Sequence, residues 1–358
     1  MAFDKVGFIP GNETNTSRIV ALLRQVAERI NGLSAFVLSF LGFSNAASAF
    51  GYILGMTNGQ FVLSAAASAL TIALKTNAGT DPSSTDKVTV FFRNVTGTTG
   101  DVVALEITAA TSLVISSGST LGITSSTAFR LWIVGFNDGG TFRIGAIQRF
   151  ASGRFYPLVE GLASSTAEGG AGGADSAGVI YTGSAVSSKA MRILAYAEWN
   201  VSGLTAGTWT TTNLSLVQLV GPGVYKPGDV VQVSSNTVSG QITTTNTTFT
   251  ATGLSTPITP TSAANVMLVS YDAMLGQTDA GVSSFATVER GGTPVGGEKS
   301  ASAGGGYILS NSANTFFDWP MATSEQTYEV YYKTNSPGTA VFFTGTTTAH
   351  ISVTEIMV

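Results

Sequence analysis

The sequence predicts an all-β protein in which a short N-terminal helical, coiled-coil-like segment leads into two β-sandwich-like regions. Three observations predict it. From about residue 61 onward, short β-branched and aromatic runs recur with turn residues between them. A helical period is confined to the stretch before residue 40. The composition joins 44% hydrophobic residues to only 11% charged ones, against about 25% charged in an average soluble chain.

That composition excludes several classes. Mean hydropathy is +0.29, so the chain buries a core, unlike a disordered tail of low hydrophobicity and high charge. Net charge is −4 and no Lys/Arg cluster occurs, so the basic stripe that phosphate backbones require is missing and nucleic acid is not an expected partner. Cysteine is absent, which removes disulfide scaffolds and thiolate metal sites. The chain also lacks the Lys/Glu coat of a soluble monomer. Weakly charged surfaces suit permanent interfaces, so neighbouring copies are expected to cover much of it. The competing reading is a monomer kept in solution by Ser and Thr hydroxyls.

Residues 1–60 read as an attachment and oligomerisation segment. Asn15, Thr16 and Ser17 offer N-caps. Behind them Ile19, Leu23, Val26, Ile30, Leu33 and Val37 follow a 4, 3, 4, 3, 4 spacing, the seam of a coiled coil. Ile at both kinds of seam position tilts the preference from dimer towards trimer or tetramer. Gly32 interrupts the pattern, and a single amphipathic helix packed on its own domain is the alternative. The run from Leu33 to Phe43, followed by Ala47-Ser-Ala49, mimics a secretory leader. It sits behind a long polar stretch with Asp4, Glu13 and Glu28, where a leader has a short basic one. It is also too short to span a bilayer, so burial in an oligomer is expected and membrane insertion is not.

Residues 61–228 form the first β-region. Strands are expected at Leu70–Leu74, Val88–Phe92, Val102–Ile107, Leu113–Ile115, Phe129–Val134, Thr141–Ile144, Met191–Tyr196 and Leu214–Val220. Asn137-Asp-Gly-Gly140 reads as a hairpin turn, and Glu168-Gly-Gly-Ala-Gly-Gly-Ala-Asp175 as a flexible or tightly turning loop. Gly221-Pro-Gly-Val-Tyr-Lys-Pro-Gly228 marks the boundary. Residues 229–358 form the second region, with strands at Val230–Val233, Thr247–Thr252, Val266–Tyr271, Ser283–Glu289, Tyr328–Tyr332, Ala340–Phe343 and Ile351–Met357. A final strand must be paired to be stable, so it is expected inside a compact sandwich.

The phrases Gly253-Leu-Ser-Thr-Pro-Ile-Thr-Pro260, Val266–Tyr271 and the closing Ile351-Ser-Val-Thr-Glu-Ile-Met357 resemble the head region of tailed-bacteriophage fibre and virion appendage proteins. Ala69–Pro82, Ala109–Leu121, Ala167–Asp175 and Leu216–Gly223 leading into Lys226-Pro-Gly-Asp229 look like a phage-tail module. The resemblance covers most of residues 61–358; residues 1–60 match no known pattern. It implies a homotrimeric fibre or spike of the virion, made in the bacterial host cytoplasm. Its N-terminal segment would meet other virion proteins and its distal β-domains would face the host. A head fibre or capsid decoration protein is the rival within that class, and a glycan-degrading tailspike the rival from another.

No constellation argues for catalysis. His350 is the single histidine, and an edge or interface position is the ordinary one for it. Gly292–Ser300 approaches a phosphate-binding loop, but Glu298 stands between Gly297 and Lys299 where it would repel the phosphates. The 168–175 loop lacks the strand-to-helix context of a dinucleotide site. Asp272, Asp279, Glu289, Asp318, Glu325 and Glu329 could supply a paired carboxylate, but spacing along the chain does not pair them. No zinc spacing or calcium loop appears, so no metal or cofactor is expected. Aromatics give the better hint. Phe317, Trp319, Tyr331 and Tyr332 are candidate glycan contacts, since sugars stack on rings while placed polar groups take hydroxyls. For the same rings, and for Trp199 and Trp209, the core or a three-fold seam is the more ordinary place. Host cell-surface polysaccharide is the partner class they suggest.

The seam reading has a direct check. Leu23→Asp combined with Ile30→Asp is expected to give monomers or aggregates by light scattering; an unaltered oligomer would assign assembly to the β-regions alone.

Overall fold

The computed structural model describes residues 55–93, 102–200, 204–302, 308–342 and 348–358. Among them there is no α-helix, and the chain is all-β. The seam Ile19, Leu23, Val26, Ile30, Leu33 and Val37 lies outside the described residues.

The first module opens with β1 (Met56–Thr57) and β2 (Gly59–Ala66), parted by Asn58 at a φ of 54°. With β3 (Ala69–Thr76), β4 (Val88–Arg93), β5 (Val102–Ile107) and β6 (Thr111–Ile115) they make one layer, paired β1-β4-β5 and β2-β3-β6. The module therefore begins ahead of residue 61, and β2 runs across that position. The second layer is built on β7 (Phe129–Asp138) and β8 (Thr141–Gln148), a hairpin turned by Gly139 and Gly140, both at positive φ. β9 (Phe150–Ala151) and β10 (Arg154–Phe155) form a small hairpin of their own. Short strands β11 (Gly161–Ala163), β12 (Thr166–Ala167) and β13 (Tyr181–Thr182) precede the long β14 (Lys189–Trp199) and the edge strand β15 (Leu214–Leu219). The sheet order is β11-β14-β7-β8-β13-β12, with β15 also on β14.

Strands buried on both faces read as continuous apolar runs, and β7 is the case in point. Phe129, Leu131 and Ile133 pack towards the first layer, where Phe129 stacks on Trp199 at 5.0 Å. Trp132, Val134 and Phe136 pack on the opposite face with Leu158, Val186 and Met357. Trp199 and Trp209 are core residues, with indole N–H groups donating to the Thr210 and Ser119 carbonyls.

After residues 220–229 the second module begins. Its strands are β16 (Val230–Ser239), β17 (Ile242–Thr244), β18 (Thr250–Ile258), β19 (Val266–Gln277), β20 (Ser283–Arg290), β21 (Thr293–Pro294), β22 (Lys299–Ser302), β23 (Ile308–Asp318), β24 (Gln326–Thr334), β25 (Ala340–Phe342) and β26 (Thr348–Ile356). β16 with β17 forms one long strand side, and β25 with β26 the matching one. The pairing is nested: β16 with β26, β18 with β24, β19 with β23, β20 with β22, all antiparallel. Such nesting is a long hairpin rolled on itself. The resulting two sheets are ordered β16-β26-β19-β23 and β18-β24-β20-β22. This is an eight-stranded jelly roll, a double-sheet sandwich. Leu254, Val269, Tyr271, Val288, Tyr328, Val330, Tyr332 and Ile351 fill its interior.

A buried guanidinium joins the modules. Arg130 on β7 donates through Nη1 to the Val358 main-chain oxygen at 2.7 Å and through Nη2 to Asn265 Oδ1 at 2.9 Å. Its Nε donates to Glu198 Oε1 at 2.9 Å, and the Glu198 carboxylate also accepts from Ser262 at 3.0 Å. Beside it Phe150 from the β9–β10 hairpin packs on Val266 and Val358 and meets Trp319 edge to face at 5.4 Å.

Removing one partner of a buried pair strands the other, at about 3–5 kcal/mol. Arg130→Met is therefore expected to lower unfolding stability by that amount in denaturant titrations. Lys75→Ala breaks only the exposed pair with Asp81 and should cost no more than about 1 kcal/mol. Equal effects would remove Arg130 from its role at the junction.

Candidate functional site

The structure separates the four aromatic residues chosen from the sequence. Along β24, Tyr328, Val330 and Tyr332 point inward, while Glu329, Tyr331 and Lys333 point outward. Tyr332 is 2% exposed and packs on Phe342 at 5.7 Å. It offers no ring face to a sugar, and burial pushes its phenol up to about 12. Trp319 belongs to the module junction, where its indole N–H donates to the Ala263 carbonyl at 3.1 Å. The burial of Tyr332 is a correction to the glycan-contact reading. Phe317 is 42% exposed and pairs in register with Leu268, on the outer face of the β19–β23 sheet. Tyr331 lies on the outer face of the other sheet, so the two cannot line one site.

Several polar candidates are fasteners. Asp318 accepts from the Tyr328 hydroxyl at 2.7 Å and pairs with Arg290 at 3.0 Å; burial, with that carboxylate close by, pushes the phenol far above its ordinary range. Asp279 accepts from the Thr339 N–H at 2.7 Å and holds a turn. His350 faces Asp272 at 3.6 Å on an exposed sheet face. Among the described residues no hydroxyl hydrogen-bonds its ring. Residues 293–302 hold strands β21 and β22, and Glu298 pairs with Lys333 at 3.1 Å.

The glycine-rich loop is a welded turn. Glu168 accepts from the Ser116 N–H and hydroxyl, each at 2.8 Å, and from the Ser119 hydroxyl at 2.5 Å. Asp175 accepts from the Thr120 and Gly172 N–H groups, both at 2.8 Å. Close by, Gly122 has a φ of 76°, and a Cβ there would stand 2.2 Å from the Ala177 nitrogen, so only glycine fits. Burial raises the Glu168 carboxyl, but the Ser119 and Ser116 bonds outweigh it and leave it below its ordinary value. The Thr120 N–H is the main cause that lowers Asp175.

What remains is the outer face of the β18-β24-β20 sheet, and its groups converge. Lys333 holds its ammonium 4.2 Å from the Phe249 ring and 5.4 Å from that of Phe285, within the reach of cation–π attraction. All three aromatic residues of this face, Phe249, Phe285 and Tyr331, are partly exposed. One row further along, Glu329 and Glu289 stand opposite each other in register. Burial and then the Glu329 charge raise the Glu289 carboxyl, and burial followed by both carboxylates raises the Tyr331 phenol. Glu329 itself accepts from the Gly253 N–H at 3.1 Å, at the bulge between Ala251 and Ser255. Sequence reasoning named Tyr331, with Lys333 beside it, and Glu289 and Glu329 separately, and missed Phe249 and Phe285 as their neighbours. The alternation of Tyr328-Glu-Val-Tyr-Tyr-Lys333 already carried the outward parity.

A buried guanidinium elsewhere is left partly unpaired. Arg149, 2% exposed, lies 4.4 Å over the Phe155 ring with Nε and Nη1 lacking hydrogen-bond partners, and burial lowers its guanidinium to about 10.

No family model matches the chain, and no curated protein does. Solved structures give faint likenesses. The infectious bursal disease virus VP2 subviral particle is 8% identical with a TM-score of 0.22, over 65% of this chain and 57% of that one. The insecticidal delta-endotoxin Cry8Ea1 of Bacillus thuringiensis is 10% identical with a TM-score of 0.21, over 84% and 52%. An exo-beta-1,3-galactanase of Phanerochaete chrysosporium is 11% identical with a TM-score of 0.17, over 80% and 75%. The chain thus spans little more than half the length of the first two. Scores this low carry no argument about function.

Glu168→Gln tests the weld. Hydrogen bonds to a charged group contribute about 1.5–3 kcal/mol, and a loss of that order is expected at pH 7. A carboxyl lowered in the folded state stabilises above its unfolded value and loses that contribution as pH falls through the folded one. The difference between wild type and variant in thermal unfolding should therefore shrink below about pH 4.5. A difference that stayed constant with pH would show that the carboxylate charge is not what holds the loop.

Proposed function

We propose that this chain is a non-enzymatic structural subunit of a tailed-phage virion, a homotrimeric fibre or spike that binds host-surface polysaccharide through its second module. The observation that carries the reading is the outer face of the β18-β24-β20 sheet. Phe249, Phe285 and Tyr331 supply partly exposed rings beside Lys333, Glu329 and Glu289. Apolar wall plus placed polar groups is the logic of a sugar-accepting surface. Jelly rolls occur in viral capsid and lectin domains, which fits the reading, although a fold does not define a function.

Assembly is supported by uncovered apolar edges. Val159 (76% exposed) and Leu162 flank one end of the β14 edge, and Leu216 and Leu219 on β15 flank the other. β15 carries no charge and no proline, the usual guards of a free edge. Three copies would multiply weak single-site binding into avidity. Of the segment read as residues 1–60, the part ahead of β1 remains the one proposed to meet the particle.

Two measurements on the full chain test the proposal. Light scattering should return three times 36.7 kDa; a well-behaved monomer in dilute solution would overturn the trimer. The purified protein should compete with phage adsorption to host cells, and Tyr331→Ala should weaken competition about tenfold, near 1.4 kcal/mol. Absence of competition would move the reading to a decoration protein, and release of oligosaccharides from host polysaccharide would replace it with an enzyme.

A further inference from the structure

Two tight turns join the modules, and residue type sets their geometry. In Gly221-Pro-Gly-Val224 the Val224 N–H donates to the Gly221 carbonyl at 3.2 Å, and in Lys226-Pro-Gly-Asp229 the Asp229 N–H donates to the Lys226 carbonyl at 3.1 Å. Each has proline second and glycine third, with Gly223 at a φ of 78° and Gly228 at 95°. These are type II turns, in which proline presets one angle and glycine supplies the positive one. Asp229 braces its own turn through Oδ2, which accepts from the Lys226 N–H at 2.7 Å. The Gly228 N–H donates to the Met357 carbonyl at 2.8 Å, and the Met357 N–H donates to the Asp229 carbonyl at 3.0 Å. The segment that reads in sequence as a boundary is thus a fixed wall tied to the last strand.

That wall bounds a cavity of about 280 Å³, lined also by Glu160 and by Arg192 and Ile193 of β14. Ile193, Val220 and Val224 give it an apolar lining continuous with the core around Trp132. Lys226 and Asp229 are exposed, so the cavity is reached from solvent. Its charged groups do not close on one another. Arg192 donates through Nη1 to the Phe91 carbonyl at 2.8 Å, and its Nε lies 3.9 Å from Glu160 Oε1, which accepts from the Ile193 N–H at 3.1 Å. Among the described residues neither Lys226 nor Asp229 joins a salt bridge. Two cations and two carboxylates around one cavity disfavour a charged guest, which would meet like charge as often as opposite. Carboxylates only accept hydrogen bonds and Lys and Arg only donate them, whereas a hydroxyl does both. Sites for drug-sized ligands occupy about 300–1,000 Å³, so this smaller cavity suits one ring.

We propose that the cavity binds a single neutral pyranose, with its vicinal hydroxyls bridging carboxylate and cation and its C–H face on Val220 and Val224. An apolar lining with a few placed polar groups is the ordinary build of such a site, and the two fixed turns lower the ordering cost of binding. The cavity is formed by the first module and the joining segment. The inference therefore does not rest on the aromatic face of Phe249, Phe285 and Tyr331.

The test is saturation-transfer difference NMR on the full chain. Its probes are the methyl α-pyranosides of glucose, galactose, mannose and N-acetylglucosamine, with acetate and choline as charged controls. At least one pyranoside should bind saturably, with a Kd of about 1–10 mM, and more tightly than either control. Glu160→Gln keeps an oxygen for the Ile193 N–H, and Lys226→Ala alters an exposed side chain, so both should unfold at the wild-type Tm. Each should weaken binding by about tenfold or more, while Lys75→Ala on β3 should bind as wild type does. Absence of any pyranoside signal at about 50 mM overturns the proposal. So does binding that survives in both cavity variants, or a preference for acetate or choline. Binding lost in Tyr331→Ala but kept in Glu160→Gln would place the sugar on the aromatic face of the second module, and overturns it equally.

Discussion

A guanidinium withdrawn from water must be met on every side by fixed oxygen atoms, and Arg130 is where this requirement binds two β-modules into one body. Its three nitrogens reach Glu198 of the first module, and Asn265 and the Val358 main-chain oxygen of the second. Asn265 passes the connection on to Glu355 at 2.6 Å, and that carboxylate also accepts from Thr261 and Gln232. The second module touches the first through strand ends and short loops, at Val266, Met357, Val358 and Trp319. That docking leaves the outer face of the β18-β24-β20 sheet clear, so the position of the proposed binding surface follows from the polar junction.

Much of this fold was legible because burial writes itself into period and run length. β3 and β26 alternate between buried and more exposed positions, and β7, covered on both faces, carries an apolar run from Leu131 to Phe136. The strands that escaped notice had other physics. β23 carries Ser310, Asn311, Ser312 and Asn314, residue types depleted in strands, and is held by eleven consecutive register pairs with β19. The β9–β10 hairpin is two residues a side, too short for any period, and its importance lies in Phe150 reaching the other module. The glycine-rich loop reads in sequence as either flexible or tightly turning, because nothing in Glu168 or Asp175 announces the Ser116–Thr120 donors roughly 50 residues away.

The candidate site shows the same limit more sharply. A single step along β24 separates Tyr331 on the surface from Tyr332 in the core, since successive side chains point to opposite faces. The flanking Glu329 and Lys333 mark the outward parity, so that distinction was present in the sequence. The pairing of Glu289 with Glu329 was not. It depends on which residues of β20 and β24 share a register, and that is fixed by the whole rolled hairpin, including β22 on the far side of β20.

Charge is so sparse here, at 17 basic and 21 acidic residues in 358, that where each one is spent matters. Arg130, Glu168 and Glu355 are buried, and each is satisfied by at least three hydrogen bonds. They serve the interior and leave the exterior to hydroxyls and small apolar side chains. Such an exterior is repelled only weakly by another copy of itself, because no dense layer of like charge keeps two molecules apart. The unguarded β15 edge and the exposed Val159 and Leu162 beside it then meet no electrostatic barrier to contact. Arg149 is the exception to this internal satisfaction, and it lies beside the β9–β10 hairpin whose Phe150 reaches the second module.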